Sequence, residues 1–195
     1  PAFDHVFGAH AFDYFTKDRE AGEIFDAAMT SFTAQNAPLV PEFHDFRGIR
    51  TLVDVGGGHG LLLRTVLEAN PDLKGILYEL PAVARGARLA LASSPVAARC
   101  EVVEGSFLES VPPAHAYMMK HIIHDWSDAH CLKLLGHCRK GIAPDGRLLI
   151  LELVVPPGPE LHFSKILDLE MLVMTTGGRE RTEPEFASLL SRAGF

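Results

Sequence analysis

Two short stretches of this sequence carry side chains suited to acid–base chemistry. In Met119-Lys120-His121-Ile122-Ile123-His124-Asp125-Trp126-Ser127-Asp128 two histidines and two aspartates stand at the end of an apolar run. In Gly177-Gly178-Arg179-Glu180-Arg181-Thr182 a glutamate is flanked by arginines. An imidazole with an unperturbed pKa of about 6.5 is a natural base at neutral pH. His124, at the end of an apolar strand read over residues 116–123, falls on the rim where an open α/β sheet binds ligands. On a strand, residues three apart face opposite sides. The spacing therefore sends His121 and His124 to different faces and argues against a zinc pair; no metal is expected. Glu152, inside Leu149-Ile150-Leu151-Glu152-Leu153-Val154, is an acid in an apolar strand and needs a partner. Glu180 reads equally as part of a solvated charge cluster.

A third stretch could hold a ligand. Val53-Asp54-Val55-Gly56-Gly57-Gly58-His59-Gly60 joins a β-branched strand (51–55) to a helical segment (61–69). Glycines there allow a sharp turn and a close approach to the ligand. The dinucleotide fingerprint is absent, because G-x-G-x-x-G from Gly56 or Gly58 would need a third glycine where Leu61 or Leu63 stands. What remains is G-x-G-x-G at Gly56, Gly58 and Gly60, with Asp54 two residues ahead. Glu79 closes the second strand (75–80), 23 residues after Gly56, where a carboxylate can accept two hydrogen bonds from a ribose diol. An adenosine-bearing ligand without a pyrophosphate suits this arrangement. Glu104, inside the third strand, reads as solvent-facing.

These groups must be positioned by strands at 51–55, 75–80, 100–104, 116–123 and 147–155, and by helices at 61–69, 82–92, 128–141, 164–175 and 184–193. The alternation defines an α/β class with a doubly wound, mostly parallel, Rossmann-like sheet. Eight of the twelve phenylalanines lie between Phe3 and Phe46, so composition shifts near Gly48. The boundary falls between a helical segment (1–47), in which Phe25, Met29 and Phe32 share a helix face, and the α/β domain (48–195).

Composition limits the partners. With 18 Lys+Arg against 25 Asp+Glu, the net charge of −7 leaves no basic patch for nucleic acid or an anionic membrane. No apolar run reaches a membrane span and residues 1–10 lack a signal-peptide pattern. Three cysteines, an odd number, speak against a disulfide framework and for a cytoplasmic location. Cys131 and Cys138 share the buried face of one helix, with His130 and His137 on the neighbouring face. G-x-S-x-G, H-E-x-x-H, P-loop and C-x-x-C patterns are all missing.

Residues 53–60, 119–128 and 177–182, together with the closing Ala193-Gly194-Phe195, resemble the S-adenosylmethionine-dependent O-methyltransferases that act on small hydroxylated molecules. These include the plant caffeate and flavonoid enzymes, acetylserotonin methyltransferase and antibiotic-tailoring enzymes of bacteria. The likeness covers nearly the whole chain, and the His-Asp-Trp and Glu-Arg-Thr signatures are more specific than the glycine loop. It implies methyl transfer to a hydroxyl of a small, aromatic acceptor, with His124 as general base. Glu152 and Glu180 flank it, and either one can orient the imidazole or hold its proton. S-adenosylmethionine would be held by Asp54, Gly56, Gly58, Gly60, Glu79, Ser106, Phe107 and Lys120, with Thr33 near its carboxylate. Phe25, Met29, Asp125, Met171 and Met174 would line the acceptor pocket. The family usually has Asp where this chain has Glu79 and Ser106. The competing readings are a non-catalytic cofactor-binding member of the same fold and an NAD-dependent oxidoreductase, the latter disfavoured by Leu61.

Family members carry an N-terminal helical dimerisation domain and a closing antiparallel strand pair. The resemblance therefore implies a catalytic core cut at both ends and a homodimer formed mostly outside this chain. Exposed apolar surface at Phe3, Phe7 and Phe12 and an unfinished sheet edge are expected.

Overall fold

A computed structural model describes residues 1–195. Four helices come first: α1 (Ala2–Phe7), α2 (Ala11–Lys17), α3 (Arg19–Ala34) and α4 (Leu39–Phe43). Then strand and helix alternate as β1 (Thr51–Val55), α5 (Leu61–Ala69), β2 (Lys74–Glu79), α6 (Pro81–Ala92), β3 (Cys100–Glu104), β4 (Ala114–Lys120), α7 (Asp128–Gly141) and β5 (Ile142–Leu151). Helices α8 (Phe163–Met174) and α9 (Glu183–Ala193) complete the chain.

The five strands form one parallel sheet in the order β3-β2-β1-β4-β5. That order reverses direction between β1 and β4, and the carboxyl ends of those two strands open the crevice in which such sheets bind ligands.

Alternate residues of each strand feed opposite cores, as a period of two demands. Leu52, Ala116 and Met118 pack with Leu63, Val66, Leu67 and Leu91 from α5 and α6. Val53, Val55, Tyr117 and Met119 face the other way, against Cys131, Leu134, Leu135 and Cys138 of α7 and Leu189 of α9. Both cysteines are buried as the helical spacing implied, and burial pushes their thiols up to about 11 and 12.

Several expectations need correction. Phe3 is buried, not exposed: its ring sits 4.5 Å from Phe7 and 5.6 Å from Tyr14, so the amino-terminal aromatics make a small cluster of their own. Phe12 is half-buried and stacks on Trp126, while Phe7 is exposed as expected. The strand read to residue 123 ends at Lys120, because His121 adopts φ 53°. Left-handed backbone breaks the pleat, and the chain enters a single 3₁₀ turn at Ile123–Asp125. The last strand begins at Ile142 rather than 147 and stops at Leu151, one residue before Glu152. Its outer edge pairs with no other strand, although Val154 makes a single bridge to Arg181. Glu104 is exposed as read, and pairs with Arg88. No helix is long and apolar enough to cross a membrane.

Candidate active site

A cleft of about 1650 Å³ runs from the glycine loop, past the carboxyl ends of β1 and β4, to helices α2, α3 and α8. Its floor is set by the turn after β1. Gly56, Gly58 and Gly60 all have positive φ, which L side chains adopt only with strain. The Gly58 N–H donates to Glu79 Oε2 at 3.1 Å, while Leu80 N–H donates to Oε1 at 2.7 Å. Glu79 thus anchors the loop and keeps lone pairs for a ligand. Burial raises its pKa to about 7, with the two backbone N–H groups pulling the other way. Burial, and then the charge of Glu79, also lifts Asp54 to about 7. Asp54 Oδ2 is buried with no hydrogen-bond partner.

Gly57, which the G-x-G-x-G reading passes over, is the most tightly enclosed of the loop glycines. A Cβ there would stand 2.5 Å from Asp54 Oδ2 and collide with Leu77, whereas one on Gly58 would meet nothing and point into open space. Gly57→Ala is therefore expected to destabilise the fold by about 1–3 kcal/mol through overpacking. Denaturant unfolding of the variant checks this; an unchanged midpoint would contradict the enclosure. Gly60, predicted to touch the cofactor, does not line the cleft. It caps the start of α5 with φ 78° and packs toward Leu91 and Leu77. Its role is to form the turn.

The remaining predicted ligand contacts do line the cleft: Asp54, Gly56, Gly58 and Glu79 at one end, and Ser106, Phe107, Lys120 and Thr33 above them. Lys120 Nζ lies 3.4 Å from Thr33 Oγ1 and 5.0 Å above the Phe32 ring. Its partial burial lowers its pKa, against the charges of Glu152 and Asp54. Phe107 sets its ring edge-on to Trp126, with centroids 5.7 Å apart. Phe25, Met29, Asp125, Met171 and Met174 lie around the other half of the cleft. Two features of this half were not anticipated. Phe15 stacks on Phe25 at 4.6 Å, and Trp126 lies against both His10 and Phe12 at interplanar angles of 14° and 15°, the three ring centroids standing about 6 Å from one another. His59 reaches Asp26 of α3 at 3.4 Å, tying the helical segment to the glycine loop.

His124 sits on the 3₁₀ turn, on the wall between the two halves. Its Nδ1 is 2.7 Å from Glu180 Oε1, and the Glu180 side chain is fully buried. With the Glu180 carboxylate as acceptor, Nδ1–H is the donor in that bond, which leaves Nε2 as the free nitrogen of a neutral ring, 3.5 Å from Asp125 Oδ1. Glu152 plays a different part. Its Oε1 accepts from the backbone N–H groups of Ile122 and Ile123, at 2.9 and 2.7 Å. It holds the turn, while Glu180 holds the ring. Neither glutamate lines the cleft. Glu180 is in turn fixed through its own N–H, which donates to Asp168 Oδ1 at 2.8 Å. Asp168 was missed in the sequence, where nothing separates it from any other helical acid.

Burial opposes charge on His124, but the hydrogen bond to Glu180 and the charges of Asp125, Glu152 and Glu180 outweigh it and raise its pKa to about 9. Burial lifts Asp125 to about 7, the imidazolium pulling it back. Glu152 is lowered: burial pushes it up, and the His121 and His124 rings and the Ile123 amide more than offset that.

The separation of His121 from His124 is also corrected. Because His121 leaves the strand with positive φ, both rings line the cleft, with centroids 5.2 Å apart. His121 Nδ1 and His124 Nδ1 lie 3.6 and 3.9 Å from Glu152 Oε2, and His121, His124 and Glu152 bring their ligand atoms within 4.8 Å of one another. The geometric argument against a clustered pair therefore fails.

A parallel β3-β2-β1-β4-β5 sheet, a glycine turn facing an acidic residue at the end of β2, and a His–Glu pair at the crevice define a Rossmann-like α/β architecture with its ligand crevice at the switch point. Comparison with known proteins gives the family: residues 1–195 match the O-methyltransferase domain, and the chain belongs to that family. It is 40% identical over 195 residues to a phenazine O-methyltransferase of Lysobacter antibioticus, covering 100% of this chain and 57% of that one. It is 39% identical to a mitomycin biosynthesis 6-O-methyltransferase of Streptomyces lavendulae, covering 100% of this chain and 55% of the relative. Among solved structures, an O-methyltransferase from neocarzinostatin biosynthesis, bound to S-adenosyl-L-homocysteine and 1,4-dihydroxy-2-naphthoic acid, superposes with a TM-score of 0.92. Its identity is 29%, over 100% of this chain and 58% of that one. The chain thus spans a little over half the length of the curated relatives it matches.

Proposed function

We propose that this chain is the catalytic part of an O-methyltransferase that transfers the methyl group of S-adenosylmethionine to a hydroxyl of a small phenolic molecule, with His124 as general base. The observation that carries the reading is the buried His124–Glu180 pair at 2.7 Å, set in the wall of a cleft that has the glycine loop at one end and stacked aromatic rings at the other. When bound, S-adenosylmethionine supplies an electrophilic methyl group on a sulfonium.

The residues present fit such a ligand. The unfilled space above Gly58, the lone pairs of Glu79 and the unpartnered Asp54 Oδ2 suit the polar parts of an aminoacyl-ribosyl group, and Phe107 suits its ring. At the other end, Met171 and Met174 pack well against a flat phenol. Glu180 fixes the proton on Nδ1, so Nε2 is the atom that takes the acceptor's proton. Removing that proton makes the oxygen a competent nucleophile. Holding the oxygen in line with the methyl carbon is the second contribution, and it falls to the two walls of the cleft.

The reading is tested by incubating the purified protein with S-adenosylmethionine and a panel of phenols and following methylated products by mass spectrometry. Calorimetry with S-adenosylhomocysteine and NAD runs beside it. Methylated product and binding of the homocysteine compound alone are expected. Binding without turnover over the whole panel would favour the non-catalytic reading, and binding of NAD would favour an oxidoreductase. For the whole protein we further propose a homodimer held mostly by residues outside this chain. A cytoplasmic location is supported by three free thiols.

A further inference from the structure

Arg181 is the largest side chain in the molecule with essentially no exposure. A guanidinium is costly to bury unless its donors are matched, and here they are. Nη1 donates to the carbonyl of Ile123 at 2.9 Å and to that of Arg179 at 3.3 Å. Nη2 donates to the carbonyl of Trp126 at 2.9 Å and to Asp128 Oδ1 at 2.7 Å, which Nε also reaches at 3.2 Å. The same Nη2 lies 3.6 Å from Cys131 Sγ. Asp128, at the start of α7, supplies the countercharge, and its pKa is lowered chiefly by this hydrogen bond.

Ile123 and Trp126 are the residues on either side of the His124-Asp125 pair. One 3₁₀ turn cannot satisfy its own end groups. Its amides are taken by Glu152 and its carbonyls by Arg181, so the turn is gripped from both ends. The carbonyl of His124 itself accepts from Arg179 N–H at 2.8 Å. Three consecutive residues therefore hold the histidine: 179 by its backbone, 180 by its ring, 181 by the peptides around it. Only a planar fork with several donors reaches carbonyls three residues apart and a carboxylate at once.

We infer that Arg181 is a positioning residue for methyl transfer. It touches no ligand and acts through the 123–126 turn, setting where His124 Nε2 points. The inference rests on His124 being the base. A shift of about 1 Å at a reacting group can cost about 10²-fold in rate. The glycine loop packs on Ile122 but takes its hydrogen-bonded anchor from Glu79, not from Arg181.

Arg181→Lys keeps the charge and loses the fork. Its kcat is expected to fall roughly 10- to 100-fold while the Kd for S-adenosylhomocysteine is unchanged. Asp128→Asn, a milder change that leaves the guanidinium in place, should show the same split with a smaller fall and stays informative if Arg181→Lys does not fold. In ¹⁵N-histidine-labelled protein, the hydrogen-bonded Nδ1–H resonance of His124 should move in both variants. Added guanidinium should partly restore kcat to Arg181→Gly. An unchanged kcat with a lowered melting temperature, or a fall in kcat matched by loss of cofactor affinity, overturns the inference and leaves Arg181 a packing residue. Turnover surviving in His124→Ala would remove the base instead, and the resonance shift would still report whether Arg181 orients the ring.

Discussion

Replacing His124 by alanine is expected to lower turnover by about 10²- to 10⁴-fold, the usual contribution of a positioned proton acceptor, without changing affinity for S-adenosylhomocysteine. The two readouts part because the groups suited to the cofactor lie on the turn after β1, at the ends of β2 and β4, after β3 and, with Thr33, on α3, whereas His124 lies on the turn beyond β4 and is none of them. Folding must be separated from chemistry, because the alanine leaves Glu180 buried without its partner, and breaking a buried pair costs about 3–5 kcal/mol. His124→Gln is the control: its amide N–H can still donate to Glu180 Oε1, but it cannot accept a proton. Loss of turnover in both variants, with cofactor affinity retained by the glutamine form, supports the base. Turnover within a few-fold of wild type in the glutamine form would sink it.

The elements that carry this site were readable where local signals agreed. The 61–69 and 128–141 segments and the 51–55 and 100–104 strands have their observed bounds, because glycines or Ser127 open the helices and β-branched runs make the strands. The turn that carries His124 was not readable in the same way. The apolar run 116–123 continues past the point where the chain leaves the sheet, and a histidine at φ 53° leaves no mark in a hydrophobicity pattern. Its consequence is large, since the left-handed residue turns His121 and His124 onto one cleft instead of two faces.

Residue roles divided similarly. Glu152 and Glu180 were interchangeable in the sequence because the resemblance sets both beside the base without dividing their parts; three-dimensional contact gives one the peptide amides and the other the imidazole. Arg181 stood inside the Glu-Arg-Thr signature without a role and Asp168 had no signal, since an arginine or aspartate that binds backbone looks like any charged residue until its burial is known. Gly57 hid beside the glycines that fit a motif, because its constraint is Asp54 beneath it and not its own φ. Phe3 looked like exposed surface because the resemblance implied a covering domain outside this chain, and its packing on Phe7 of its own helix and on Tyr14 of α2 leaves no mark in the sequence.

Glu180→Gln is expected to shift the pH dependence of methyl transfer as well as its size. In the wild type the imidazole pKa stands at about 9, raised mainly by the hydrogen bond from Nδ1 to Glu180 against the effect of burial. The base form therefore grows as pH rises toward 9, and kcat/KM should climb over the same interval. Removing the Glu180 charge takes away the largest favourable influence, so the ascending limb moves to lower pH. The plateau should fall at the same time, by roughly 10- to 100-fold, because a weaker base takes the proton less readily and its ring is less firmly oriented. Stability gives an independent check with a fixed sign. A histidine whose folded pKa lies above its unfolded value contributes stability that is fully present below about pH 6.5 and is lost as pH rises through about 9. Wild-type protein should thus lose stability across that window, and Glu180→Gln should lose less of it. A pH–rate curve that keeps its ascending limb in Glu180→Gln, together with an unchanged slope of stability against pH, would mean that the titrating group governed by Glu180 is not His124.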